Sequence, residues 1–106
     1  KAEVMEKCLK DAAEVPMGIM RCACQALDIL KQFAEKGSKM MISDAGCGAV
    51  CCRAALEAAS LNVFINTKSM KDRQYAEELN AQADAMLAKY SSLAQEIYLQ
   101  VTNQCR

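Results

Sequence analysis

Histidine is absent from the 106 residues, so no His-assisted nucleophile can be built from this chain. It also has no glycine-rich phosphate loop and no ATP-binding lysine motif. Positive charge is not in excess: 13 Lys and Arg balance 13 Asp and Glu, with no basic block or aromatic platform. That argues against phosphate-backbone binding, and nucleic acid is not an expected partner. No run of 18 apolar residues avoids both Arg53 and Glu57, and no signal-peptide layout opens the chain. A soluble cytoplasmic protein without a membrane partner is expected. Proline occurs once and glycine four times. With so few interruptions and abundant Ala, Leu, Met, Glu, Gln and Lys, the chain is expected to be almost wholly helical.

Seven cysteines are present. Their odd number, their helical positions and the lack of a secretory context favour reduced thiols serving as small core residues over a disulfide framework. A metal site is not expected. Cys22 and Cys24 point in nearly opposite directions on a helix, Cys51 and Cys52 diverge, and Cys47 with Cys51 would need two further ligands.

The stretch Ser43 to Asn66 is apolar almost all round a helix, its polar stripe reduced to Arg53, Glu57 and Ser60. It reads as a central helix, with Ser43 as N-cap, Asp44 in the first turn, and Ile42 packing on Cys47 across the start. Before it, Met5, Ala12, Ile19, Ala26 and Phe33 recur every seven residues, flanked by Cys8, Val15, Cys22, Ile29 and by Leu9, Ala23, Leu30. This predicts a broad buried stripe on one long first helix. The phase of the stripe survives Pro16, so a kink rather than a break is expected there. Lys36 supplies a cation in the last turn, and Gly37 is expected to close the helix in a left-handed conformation, with Ser38 to Ile42 as the connection.

After the central helix, Ser69 to Asp72 matches a capping box. A third helix follows, with Tyr75, Leu79, Ala83, Met86, Tyr90, Leu93 and Ile97 as its inner seam, reaching nearly to Cys105. The expected fold is therefore all-α: residues 1–106 form one unit of three long antiparallel helices, the first kinked at Pro16. Three helices cover a nearly all-apolar central helix poorly, so a larger bundle that dimerises is expected.

The chemistry-bearing residues sit around the central helix. Asn66, Asn62, Ala59, Ala55, Cys51 or Cys52, Gly48 and Asp44 trace one face, a strip of small residues bracketed by polar groups. A groove for a flat heteroaromatic ligand needs such a strip, and so does close helix packing. Asp44 has a structural explanation as a first-turn carboxylate, Asp72 as a capping residue, and the two asparagines as helix-end groups.

AAEVP at Ala12 to Pro16, EKG at Glu35 to Gly37, SDAG at Ser43 to Gly46, LNVFIN at Leu61 to Asn66 and KSMKD at Lys68 to Asp72 resemble, in order and spacing, the formiminotransferase-cyclodeaminase family. The resemblance implies a helical, dimerising domain of about twice this length that acts on a one-carbon tetrahydrofolate. Its activity would be formimidoyltetrahydrofolate cyclodeaminase, a lyase, or methenyltetrahydrofolate cyclohydrolase. No counterpart of the family's PGGGS-like segment is present, so this chain is expected to be the carboxy-terminal half, partnered by an amino-terminal half or a second copy. No cofactor is implied; the tetrahydrofolate derivative is the substrate. On this reading Asp44, Asn62 and Asn66 are the candidate catalytic residues, with Asp44 moving the proton and the asparagines holding polar edges of the ligand. Ser43, Gly48, Lys68 and Asp72 are candidates for substrate binding, Lys68 toward the glutamate tail. The competing readings are a non-catalytic helical self-association module and, from the cysteine count alone, a thiol-based metal or redox protein.

Overall fold

The computed structural model describes residues 1–37 and 39–106, with Lys39 and Met40 described for their backbone alone. Three helices follow in order, α1 (Ala2–Lys36), α2 (Lys39–Lys68) and α3 (Arg73–Cys105), with no strand among the described residues. They pack side by side into a rod of 57 × 17 × 17 Å. The short connections make α1 and α2, and α2 and α3, antiparallel neighbours.

α1 runs unbroken through Pro16, whose ring is buried with Ala13, Met17, Met20, Ala23, Cys24, Leu27 and Ala34. This inner face keeps Ala23 of the expected stripe, with Leu9 and Leu30 packed against the core, but differs from the rest of it. Met5, Val15, Ile19, Ile29 and Phe33 are exposed, Val15 to 67%. Cys8 and Cys22 lie on the same outer line. The helix carries two apolar faces, and periodicity alone does not say which one meets α2 and α3.

Gly37 closes α1 in extended backbone (φ −76°, ψ 160°), not in the expected left-handed conformation. Its N–H donates to the Phe33 carbonyl at 2.7 Å. Glycine suits the site for another reason: a Cβ there would sit 2.5 Å from the Phe33 oxygen.

α2 begins at Lys39, not at Ser43, so Ser43 is an exposed residue inside the helix instead of its cap, and no staple from Ile42 across a cap forms. The extra turn continues the inner stripe Ile42, Ala45, Ala49, and Ile42 becomes buried beside Ala34, Ile97 and Val101. Burying it contributes about 1.5–3 kcal/mol, more than the roughly 1 kcal/mol a serine cap supplies. Of the connection expected over Ser38 to Ile42, Ser38 and the Met40 side chain lie outside the described residues.

The part of α2 from Met41–Lys68 is long and apolar enough to cross a bilayer, an 18-residue window within it reaching mean hydropathy 1.4. Here it packs between the other two helices and bonds to α3 through polar groups: Arg53 Nη1 donates to Gln95 Oε1 at 3.0 Å, and Thr67 Oγ1 to Asn80 Oδ1 at 2.7 Å.

Asp72 itself is the N-cap of α3, accepting from the Tyr75 N–H at 3.1 Å. The expected capping box opening at Ser69 does not form, because the last turn of α2 extends to Lys68 and a helix cannot restart at once. Glu6 of α1 supplies the second capping group, its oxygens accepting the N–H groups of Lys71 (2.8 Å) and Asp72 (2.9 Å). Lys10 bridges to Asp72 at 2.9 Å. On the other side of the turn, Arg73 Nη1 donates to the carbonyls of Thr67 (2.7 Å) and Met70 (2.9 Å), closing the end of α2. The expected inner seam of α3 does face the core, with Leu79, Ala83 and Ile97 buried and Tyr75, Met86, Tyr90 and Leu93 partly so.

Candidate functional site

Adjacent positions on a helix diverge by about 100°, and Ser43 and Asp44 consequently border different hollows. Ser43 lines an apolar cleft of about 470 Å³ between α2 and α3, with Gly46, Cys47, Val50, Tyr98 and Val101 among its walls. Asp44 turns toward α1 and borders a hollow of about 200 Å³ with Leu30, Phe33, Met41 and Ala45. Phe33 and Met41 are shared with a neighbouring hollow of about 360 Å³, whose other walls include Ile29, Gln32 and Lys36.

Gly48 lies at the α1–α2 contact, where a Cβ would approach both Leu30 methyl carbons to 3.1 Å. Its small size therefore serves packing near Asp44. Asn62 and Asn66 share a face farther along α2, each donating its amide to the backbone one turn earlier, to Ala58 (3.4 Å) and Asn62 (2.8 Å). At 1.5 Å per residue Asp44 and Asn62 stand about 27 Å apart, and Asp44 and Lys68 about 36 Å. One chain does not bring these groups to a single pterin ring. Asp72 is committed to Lys10 and to capping α3, and the Lys10 hydrogen bond, followed by that of the Tyr75 N–H, holds its carboxyl below the usual carboxylate range.

The thiols depart from the expected core role. Only Cys24 is buried; Cys52 is half-buried, and Cys8, Cys22, Cys47, Cys51 and Cys105 are exposed. Burial pushes the Cys24 and Cys52 thiols up. Cys47, Cys51, Ala54, Ala58, Leu61 and Ile65 instead form an outward line on α2 spaced by four and three, with Ile65 exposed to 67%. Such a line is the seam another helix fills.

Residues 1–85 match the family described as formiminotransferase-cyclodeaminase. The chain belongs to this family. A methenyltetrahydrofolate cyclohydrolase of Methylorubrum extorquens is 36% identical over 98 residues, which cover 92% of this chain and 47% of that protein. The chain thus spans about half the length of that relative. Within this formiminotransferase-cyclodeaminase chain, the hollow at Asp44 is walled in part by Phe33, which sequence reasoning had assigned to the core stripe, and the neighbouring hollow by Lys36, assigned to the helix end. The signal that could have found them is register: α1 and α2 are antiparallel across a short turn, so the last turns of α1 lie beside the first turns of α2.

Proposed function

We propose that this chain is part of an enzyme of one-carbon tetrahydrofolate metabolism, acting on 5,10-methenyltetrahydrofolate by hydrolysis or on 5-formiminotetrahydrofolate by cyclodeamination, in the cytoplasm. The observation that carries the reading is the 36% identity to a methenyltetrahydrofolate cyclohydrolase across 92% of the chain, and it favours hydrolysis of the two.

In the hydrolysis, water adds to the methenyl carbon between the two folate nitrogens. The resulting tetrahedral carbon loses one C–N bond as its hydroxyl becomes the formyl C=O and gives up its proton to solvent, and the released nitrogen takes a proton. A carboxylate that accepts the proton of the attacking water and returns it to nitrogen serves both steps. Asp44, exposed beside Phe33 and Leu30, is the group proposed for it. Asn62 and Asn66 can act on the same substrate only from another chain or another part of a longer one, given their distance along α2.

The two outward apolar lines, on α1 from Met5 to Cys22 and on α2, support a complete enzyme in which further helices, from a second copy or a longer polypeptide, cover these faces. The test is turnover of 5,10-methenyltetrahydrofolate by the complete polypeptide, followed by loss of the methenyl absorbance. Asp44→Asn is expected to lower turnover at least about a hundredfold while leaving folate affinity largely intact; unchanged turnover removes Asp44 from the mechanism.

A further inference from the structure

Phe33 is 43% exposed although the next residue, Ala34, is buried at 1%. Its ring stands between two hollows, with Asp44 on the rim of one and Lys36 and Gln32 on the rim of the other. An aromatic wall flanked by an acid on one side and a cation on the other suits one kind of occupant. That occupant is a flat heteroaromatic ring with a reacting nitrogen–carbon edge beside the acid and an anionic extension beyond it. Met41, unbranched and 47% exposed, is free to adjust against such a ring.

Resting on the folate reading above, we propose that Phe33 is the stacking wall for the pterin ring and that Lys36 receives the anionic tail of the substrate. The ring lies against Phe33 with the edge that carries the one-carbon unit toward Asp44, and the tail passes over the last turn of α1. This moves tail recognition from Lys68, at the far end of α2, to Lys36. Phe33 and Lys36 are binding residues and take no part in the proton transfers.

The experiment measures dissociation constants by calorimetry for the complete polypeptide, its Phe33→Leu variant and its Lys36→Gln variant. The probes are 5-formyltetrahydrofolate and tail-less 6-methyltetrahydropterin. Phe33→Leu is expected to weaken both probes about tenfold. Lys36→Gln is expected to weaken the tailed probe severalfold and leave the tail-less one unchanged. Both side chains are exposed, and equal circular dichroism and melting temperature verify the fold; if Phe33→Leu melts early, Lys36→Gln alone still decides through the difference between probes. A wild-type protein that binds 5-formyltetrahydrofolate while both variants keep its affinity overturns the inference and leaves the folate reading standing. A wild-type protein that binds neither probe overturns the reading itself, and the inference with it.

Discussion

Gly46 of α2 lies so close to Val101 of α3 that a Cβ on the glycine would sit 2.8 Å from Val101 Cγ1 and 3.2 Å from its Cβ. Val101 is β-branched and stiff, so neither partner can give way cheaply. Gly18 of α1 has nothing within 4 Å of the corresponding position. The pair makes a controlled comparison. Gly18→Ala should stabilise by about 0.5–1 kcal/mol through helix propensity, whereas Gly46→Ala should destabilise, with overpacking of about 1–3 kcal/mol exceeding the same gain. Urea melts of the two variants check it, and a stabilised Gly46→Ala would show that α2 and α3 are not in this contact.

The Glu6 and Asp72 carboxyls tie α1 to the turn between α2 and α3. Backbone N–H donors from Lys71 and Asp72 hold Glu6 below its ordinary 4.5, and the hydrogen bond from Lys10 leads in holding Asp72 below 3.8. A group whose pKa is depressed on folding stabilises the fold above its unfolded pKa and loses that contribution as pH falls through the folded one. Melting temperature should therefore hold above about pH 5 and decline below about 4.5. Glu6→Gln should flatten that decline, and an unaltered acid limb would count against the clamp.

Arg73 gathers the carbonyls of Thr67 and Met70 and pairs with Glu77 at 3.3 Å. A planar fork can serve several acceptors that a point charge cannot. Arg73→Ala should lower stability by about 1 kcal/mol, and Arg73→Lys should recover only part of it, as read by thermal melts. Full recovery by lysine would assign the effect to charge alone.

The outward thiols report on the proposed cover of α1 and α2. In the complete native polypeptide, Cys8, Cys22, Cys47 and Cys51 should resist N-ethylmaleimide and become reactive on denaturation, although all four are exposed in this chain. Fast native labelling of all four, located by peptide mass spectrometry, would mean that these faces meet solvent.

Local signals were legible in the sequence. Few helix breakers, the inner seam from Tyr75 to Ile97 and the cation at Lys36 each depend on residues within a turn or two of one another, and three helices follow from them. Features set by distant partners were not legible. Ser43 has the composition of a cap, yet burial of Ile42 beside α1 and α3 extends the helix past it. Glu6 caps a helix some sixty-five residues away in sequence, and no spacing rule reaches that far. Asp44 was legible as a candidate, but Phe33 on the wall of the same hollow was not, because periodicity groups Phe33 with the apolar line of its own helix and says nothing of what lies across the turn.

The central claim, that this fold binds a reduced one-carbon folate, is tested most directly by the melting temperature of the complete polypeptide with increasing 5-formyltetrahydrofolate. A ligand that binds only the folded form must raise it, by an amount equivalent to about 2.7 kcal/mol at a hundred times its dissociation constant. The account predicts a rise that continues with the logarithm of ligand concentration. A melting temperature unmoved up to millimolar ligand would contradict it.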